Sequence, residues 1–301
     1  MAKKSPSASP AFSVREFFAR FPDERACLEH IMSVRYGGTK LDCPSCGTVG
    51  AQFHKLRDRR VYACPECRFQ IAPTANTILH DTRTPLVSWF YAMYLFCTTR
   101  HGVSGKELQR QLGVTYKTAY RIGMQIRKLT ETTGNFDTLL SGHVEIDEAF
   151  VGGRSIGMGT GNFRQNKTTV MAIMERKGRM VARVVPNQRT VSLRPIVNDF
   201  VAKGTTVSTD ELRSYGLLTK DGYRHGAVNH KAGEYARYVC SSLTFHTNTV
   251  EGFWRLFKAS VRSTHVHVSP KHMQRYLDEF AFRVNNRERV NGMFDLLVGA
   301  F

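Results

Sequence analysis

The chain has 301 residues, of which 42% are hydrophobic and 23% are charged, a composition typical of a globular protein with a sizeable core. Its 43 Lys and Arg residues outnumber 25 Asp and Glu residues, which gives a formal net charge of +18 spread along the chain. This surplus favours a polyanionic partner, nucleic acid above all, over a basic protein that is merely soluble.

No segment is predicted to cross a membrane. The most apolar stretch lies between Arg83 and Arg100, but it includes Ser88 and several Thr and Tyr residues and is too short for a span. Residues 1–11 lack the apolar centre of a signal peptide and are predicted to be a disordered basic tail. The pattern of Cys residues favours a reducing compartment, so we expect a cytoplasmic protein.

Residues 12–80 are predicted to contain a helical pair and a zinc ribbon. Apolar residues recur at helical spacing over residues 12–36. Two C-x-x-C motifs follow, and their four thiolates are the ligand set of a closed tetrahedral zinc site: Cys43, Cys46, Cys64 and Cys67. A ribbon this small buries too little surface to fold alone, so we expect a structural zinc ion that supplies folding free energy. A redox role would not explain why the motif is doubled.

Residues 81–135 have the pattern of a helix-turn-helix module. Ser104 and Thr115 are predicted to cap two short helices that are joined by a turn containing Gly113. The second helix would then present polar and aromatic side chains to a DNA groove. The predicted DNA-binding residues of the N-terminal half are Arg59 and Arg60 in the ribbon, and Tyr116, Lys117, Tyr120 and Arg121 in the module.

Residues 136–301 alternate between strand and helix patterns, which predicts an α/β catalytic domain. Strands are expected at 143–151, 168–176, 179–186, 205–209 and 222–229, with helices at 191–202, from 249 onwards and at 270–285. A glycine-rich basic loop at 152–167 lacks the context of a P-loop, and we expect it to lie near DNA phosphates through Arg154.

Acidic residues occupy three positions where a sheet-based metal site needs them. Asp147 lies on the first strand of this region, Asp210 follows a later strand, and Glu251 lies on a helix. Carboxylates suit Mg²⁺ or Mn²⁺, and two such ions can support an in-line attack on a phosphodiester. Lys258 lies two helical turns after Glu251 and projects in a similar direction, so it is predicted to bind a DNA phosphate.

Several neighbours compete for the same roles. Glu145, Glu148 and Glu211 are rival ligands within two positions of the predicted aspartates, and strand alternation places Glu145 on the same face as Asp147. His246 and Asn248 are further candidates for the active site.

Taken together, these motifs resemble the bacterial insertion-sequence transposases that join an N-terminal zinc ribbon to a DDE domain. The resemblance is carried by C-P-S-C, C-P-E-C, V-E-I-D-E-A-F-V-G-G, S-T-D-E and H-T-N-T-V-E-G-F-W-R-L-F-K, and it extends over nearly the whole chain. It implies a ribonuclease-H-like domain with a mixed five-stranded sheet and helices on both faces. It also implies that Asp147, Asp210 and Glu251 act with Lys258 in cleaving transposon ends and joining them to a target. Asn248 is the alternative third ligand, because the signature of this group also occurs with Asn.

We therefore expect a metal-dependent DNA transposase that binds double-stranded DNA, both transposon ends and target, as a homodimer or higher homo-oligomer. Two other hypotheses stay open. One is a zinc-ribbon and helix-turn-helix regulator without catalysis. The other is a structure-specific nuclease of the same fold that cuts DNA without joining it.

Overall fold

The computed structural model describes residues 12–133, 138–152, 167–240, 243–288 and 290–301. Its helices, in chain order, are α1 (Val14–Arg20), α2 (Glu24–Tyr36), α3 (Leu86–Thr98), α4 (Gly105–Leu112), α5 (Tyr116–Thr133), α6 (Thr190–Phe200), α7 (Asn248–Ser263), α8 (Met273–Asn285) and α9 (Val290–Gly299). Its strands are β1 (Lys40–Leu41), β2 (Ala51–Gln52), β3 (His54–Lys55), β4 (Tyr62–Ala63), β5 (Gln70–Ile71), β6 (His143–Val151), β7 (Thr168–Glu175), β8 (Met180–Val184), β9 (Thr206–Asp210), β10 (Arg224–Val228), β11 (Arg237–Cys240) and β12 (Leu243–Phe245).

The chain divides into two compact units, residues 1–129 with 288–301, and residues 130–287. The first unit therefore includes the C-terminal helix α9, which the sequence analysis had assigned to the catalytic domain. Aromatic packing explains the difference, because the Phe294 ring lies 5.3 Å from that of Phe21 and 5.7 Å from that of Phe90. The finer division at residues 11, 80 and 135 stays a prediction.

The predicted helical pair and ribbon strands of the first unit are present. Ser13 forms a capping box with Glu16 at the start of α1, and the Asp23 side chain accepts from the amide of Ala26 at the start of α2. The ribbon consists of very short antiparallel strands, β1 with β2 and β3 with β4 and β5. Strands of this length bury little surface, as the sequence analysis expected of a metal-stabilised ribbon.

The two helices predicted for the helix-turn-helix pattern are also present, as α4 and α5. The Ser104 hydroxyl accepts from the amide of Glu107 at 3.0 Å, and the Thr115 hydroxyl accepts from that of Thr118 at 3.3 Å, so both predicted caps form. Gly113 ends α4 with φ of 64°, a left-handed conformation that suits glycine.

The second unit is built on a mixed five-stranded sheet in the order β10-β9-β6-β7-β8. Strands β6, β7 and β8 are antiparallel neighbours, whereas β6, β9 and β10 are parallel. One face buries Val144 and Ile146 of β6 in a core shared with Leu193 and Val197 of α6. The other face packs against α7 and α8. The expected mixed sheet with helices on both faces is therefore confirmed.

Neither the hairpin β11–β12 nor the helix α9 was predicted. The hairpin is largely solvent-exposed, with Tyr238 80% accessible, so it lacks the buried alternating face that marks a strand in a sequence. Among the described helices, none combines the length and the apolar character that a membrane span requires.

Candidate functional site

The four paired cysteines form one cluster. Their sulfur atoms all lie within 4.8 Å of one another, with 3.6 Å between Sγ of Cys43 and Cys67 and 3.9 Å between Sγ of Cys46 and Cys64. In each motif the residue after the second cysteine is left-handed, Gly47 with φ of 72° and Arg68 with φ of 63°. These two matching turns aim all four thiols at one point. The donor set and its geometry fit a structural zinc ion.

A hydrogen bond from Thr48 prepares one of these thiols for a metal. Its hydroxyl lies 3.2 Å from Sγ of Cys46 and, together with the Thr48 backbone and the neighbouring thiols of Cys43 and Cys67, lowers the pKa of the Cys46 thiol to about 6. Zinc binds thiolates, so a thiol that ionises easily is a suitable ligand.

The sheet places Asp147 and Asp210 beside each other. Parallel pairing of β6 with β9 aligns His143 with Thr206 and Glu145 with Ser208. Continuing this register by two residues aligns Asp147, in the middle of β6, with Asp210, the last residue of β9. Because side chains alternate along a strand, both aspartates project from the same face of the sheet. The Asp210 carboxylate also accepts from the amide of Leu212 at 3.0 Å.

Helix α7 places Glu251 and Lys258 over that face. The predicted apolar stripe of this helix is buried, and it consists of Val250, Phe253, Trp254, Phe257 and Val261. Glu251 has a half-exposed side chain, whose Oε1 lies 2.8 Å from the Thr247 hydroxyl and 3.4 Å from Nε2 of His230. His230 is a contact that the sequence analysis did not identify.

Asp147 interacts electrostatically with the three other predicted active-site residues, Asp210, Glu251 and Lys258. Burial, together with the negative charges of Asp210 and then Glu251, raises the pKa of Asp147 to about 7, and the positive charge of Lys258 opposes this shift. The side chain of Asp147 therefore has all three other residues within electrostatic reach. A divalent cation would relieve the repulsion among the carboxylates and would favour their ionised forms.

Carboxylate oxygens fit Mg²⁺ or Mn²⁺. Those of Asp147, Asp210 and Glu251, however, do not converge on one point in this structure. Among the described residues, the four cysteines are the one set of three or more potential ligands whose donor atoms all lie within 4.8 Å. Glu251 is turned towards Thr247 and His230. Its carboxylate would have to rotate away from these partners to share an ion with Asp147 and Asp210.

The rival carboxylates have other partners. Glu148 lies on the opposite face of β6, where it accepts from the Tyr215 hydroxyl and lies 3.4 Å from Nε2 of Gln188. Burial, followed by the charges of Asp147 and Asp210, raises its pKa to about 8. Glu211 is exposed, and it adds a small contribution to the raised pKa of Arg237, which comes mainly from the hydrogen bond between Arg237 and Glu234.

Glu145 shares the face of Asp147, as strand alternation predicts, but it is fully buried and hydrogen-bonded to the start of α7. His246 contacts Glu145 rather than Glu251, with 3.1 Å between its Nδ1 and Oε1 of Glu145. Asn248 is exposed at the first position of α7.

A basic cavity of 620 Å³ lies beside this face of the second unit. Lys258 lines it together with Lys167, Arg262 and His267, and Val151 and Val261 contribute apolar wall. Burial, followed by the charges of Arg262 and Lys258, lowers the pKa of Lys167. The positive charge of these three side chains would suit an anion such as a phosphate.

Most predicted DNA-binding residues of the first unit are accessible. Lys117 and Arg121 are exposed on α5, and the Tyr116 ring lies 6.1 Å from the Tyr120 ring and 5.0 Å from Nζ of Lys106. Arg59 is exposed on the ribbon.

Arg60 and Arg154 differ from the others. The Arg60 guanidinium pairs with Glu24 and donates to the carbonyl of Thr82 at 2.6 Å, so it is engaged within the protein. These partners are distant in sequence, and a role of Arg60 as a DNA contact stays a prediction. Arg154 lies outside the described residues.

Comparison with known proteins gives two family matches. Residues 139–285 match the ISXO2-like transposase domain, and residues 22–70 match the transposase zinc-ribbon domain. A Haemophilus influenzae protein named as an uncharacterized transposase-like protein is 30% identical over 107 residues. That alignment covers 35% of this chain and 80% of the relative. No solved structure matches the chain.

Proposed function

Because this chain belongs to the insertion-sequence transposases with a zinc ribbon and an ISXO2-like domain, we propose that it cleaves the ends of its element and joins them to target DNA. The observation that carries this proposal is the placement of Asp147 and Asp210 on paired strands, with Glu251 and Lys258 of α7 within electrostatic reach of Asp147. Three carboxylates here face a single lysine, which leaves an excess of negative charge. A site that binds divalent cations requires such an excess of carboxylates.

The four residues take different roles. Asp147 would hold both cations, while Asp210 and Glu251 would each hold one of them. Bound Mg²⁺ or Mn²⁺ would lower the pKa of an attacking water or 3′-hydroxyl and stabilise the leaving oxygen. The chain itself fixes the geometry, because two ligands stand on paired strands and the third stands on a packed helix.

Lys258 binds a phosphate of the DNA strand that enters the site. It shares its cavity with Lys167 and Arg262, so a phosphate there would meet three cations. This arrangement holds the backbone next to the carboxylates without reading base sequence.

The first unit supplies binding to the transposon ends. Helix α5 carries exposed Lys117 and Arg121 next to the Tyr116–Tyr120 pair, which suits a recognition helix in a major groove. Since a transposon has two ends, we propose that a homodimer or larger homo-oligomer brings them together.

Supercoiled plasmid carrying the element's own ends tests this function. Purified wild-type protein, Asp147→Asn and Glu251→Gln are incubated with the plasmid and Mg²⁺ or Mn²⁺, and nicked, excised and joined products are measured. Wild type should give joined products, whereas loss of a ligand should slow cleavage on the order of a thousandfold, equivalent to about 4 kcal/mol of barrier. Both variants should keep their zinc and their affinity for the ends.

Two results would favour the other hypotheses. Cleavage without joining would identify a nuclease. Tight binding to the ends with no metal-dependent product from any of the three proteins would identify a regulator.

A further inference from the structure

Glu145 is a buried carboxylate for which the proposed chemistry has no use. It lies two residues before Asp147 on the same face of β6, and its side chain has no solvent exposure. A carboxylate removed from water is costly unless other groups satisfy its oxygens. Its partners therefore indicate why the fold keeps it there.

Those partners are concentrated at the start of α7. Oε2 accepts from the backbone amides of Thr249 at 2.7 Å and Val250 at 3.2 Å. Oε1 accepts from the Thr249 hydroxyl at 2.8 Å. Thr247, the N-cap residue, makes no side-chain cap, and its hydroxyl donates to Glu251 instead. Glu145 thus caps α7 from a neighbouring strand and places a negative charge at the positive end of the helix dipole.

Arg176 extends the same cluster to the segment that leads into α7. Its Nε donates to Oε1 of Glu145 at 2.8 Å. Its other nitrogens donate to the carbonyls of Thr244 at 2.7 Å and His246 at 3.3 Å. The pair Glu145–Arg176 therefore holds the chain on both sides of the point where α7 begins.

We propose that Glu145, supported by Arg176, is a positioning residue that sets where α7 begins relative to β6. It thereby sets the distance of Glu251 from Asp147 and Asp210. This inference rests on the proposed role of those three residues as ligands. Asp147 lies two residues beyond Glu145 on the strand, and Glu251 directly follows the last amide that Glu145 accepts from. A shift of the helix end would thus pass directly to Glu251.

Loss of the Glu145 carboxylate is expected to affect the affinity for metal ions more than the folding stability. Carboxylates that share an ion repel one another when it is absent, so only packing and hydrogen bonds hold them in place. Losing an outer hydrogen bond around metal ligands typically weakens metal binding about 10-fold to 100-fold. We therefore expect Glu145→Gln, which keeps the size but loses the charge, to weaken Mn²⁺ binding about tenfold.

Glu175 provides a matched control. Like Glu145, it lies in the central sheet, pairs with an arginine (Arg179) and accepts from two backbone amides, those of Ser141 and Arg179. No part of α7 is among these partners. Glu175→Gln should therefore alter folding stability without changing Mn²⁺ affinity.

Calorimetric titration of the zinc-loaded full chain with Mn²⁺, without DNA, tests the proposal. Asp147→Asn defines the signal that belongs to the acidic site. Glu145→Gln should bind Mn²⁺ about tenfold more weakly and need correspondingly more Mn²⁺ for half-maximal cleavage, with its affinity for the ends unchanged. Thr249→Val, which removes a single donor and leaves the buried pair intact, should show a smaller shift in the same direction. It keeps the test decisive if Glu145→Gln does not fold.

Three results would overturn the inference. The first is a Kd for Mn²⁺ that stays at the wild-type value in folded Glu145→Gln or, should that variant not fold, in Thr249→Val. The second is equal weakening in Glu175→Gln, which would show a general loss of stability. The third is Mn²⁺ binding by Asp147→Asn as tight as by wild type. That result would remove the proposed metal site itself, whereas the first two would leave it standing.

Discussion

The cysteine cluster and the acidic face are two sites with metal-binding residues, and they are assembled in different ways. The thiols of Cys43 and Cys67 are 24 residues apart and already converge, because two local turns aim them at one point. Asp147 and Glu251 are 104 residues apart, on a strand and a helix, and together with Asp210 they do not form a set whose oxygens all lie within 4.8 Å of one another. A local motif builds the first site, whereas tertiary packing builds the second.

The difference follows from the charge of the ligands. Most thiols are neutral before they bind a metal, so four of them can lie together. Carboxylates are ordinarily ionised at neutral pH, and burial followed by repulsion from Asp210 and Glu251 raises the pKa of Asp147. Packing therefore has to oppose this repulsion. We expect the two sites to respond differently to the same kinds of change.

The largest expected effect is loss of the zinc site. Cys43→Ser removes one of four ligands, and structural zinc contributes about 10 kcal/mol or more of binding free energy that is coupled to folding. Zinc content should fall, residues 40–71 should lose their protection from hydrogen exchange, and binding to transposon ends should weaken. Cys240→Ser, at an exposed position on β11, should keep full zinc content. Unchanged zinc in Cys43→Ser would rule out the four-cysteine site.

The next effect distinguishes Glu251 from Asn248 as the third ligand. Glu251 interacts electrostatically with Asp147, whereas Asn248 is exposed at the first position of α7. Glu251→Gln should slow metal-dependent cleavage on the order of a thousandfold, and Asn248→Ala should change it by no more than a few-fold. Single-turnover cleavage of a labelled end measures both rates. The reverse order of effects would assign the role to Asn248.

A smaller effect concerns stability and pH. Asp147 has a pKa of about 7 in the fold against an ordinary 3.8, so the native state binds more protons than the unfolded state between these values. Its contribution to stability is therefore lost as pH rises from about 4 to about 7. Without added Mg²⁺ or Mn²⁺, Asp147→Asn should be more stable than wild type by roughly 2–4 kcal/mol at pH 8.

Urea unfolding at pH 4 and at pH 8 measures this difference in the free energy of unfolding. At pH 4 the two proteins should have similar stability, because Asp147 is then protonated in the native state. Saturating Mn²⁺ should reverse the order at pH 8, since the wild type alone gains stability by binding the ion. An Asp147→Asn variant that is less stable than wild type at pH 8 without added metal would contradict the repulsion among the carboxylates.

The smallest expected effect is a difference in folding stability between variants of two neighbouring arginines of the ribbon. Arg60 pairs with Glu24 and donates to the carbonyl of Thr82, so Arg60→Ala should lower the free energy of unfolding by about 1–3 kcal/mol. Arg59 is exposed, and Arg59→Ala should leave stability within about 0.5 kcal/mol. If Arg59 contacts a phosphate, its loss should also reduce the slope of log K against log salt concentration for end binding by about one. Equal stability losses would mean that the Arg60 contacts contribute nothing.

Part of the acidic face could be read from the sequence because strand and helix periods are regular. Asp147 and Glu145 share a face since side chains alternate along β6, and Lys258 follows Glu251 by two turns of α7. The strand β6 spans the predicted residues 143–151. These features depend on neighbours in the chain, and local periodicity is sufficient to predict them.

Other features depend on partners that no local pattern marks. The engagement of His246 with Glu145, the contact of His230 with Glu251 and the pairing of Arg60 with Glu24 each join distant segments. A charged side chain looks the same in sequence whether it meets solvent, DNA or a buried partner. That ambiguity explains why Arg60 was predicted as a DNA contact and Glu145 as a rival ligand.

The sequence by itself determined the zinc ligands, the alternation of β6 and the apolar stripe of α7, because turn geometry and periodicity act over a few residues. The tertiary structure alone decided that Asp210 aligns with Asp147, that α9 packs with the N-terminal unit, and that Glu145 caps α7. These outcomes depend on strand register and on burial of surfaces that are distant in the chain. Long-range packing energies set both, and periodicity does not encode them.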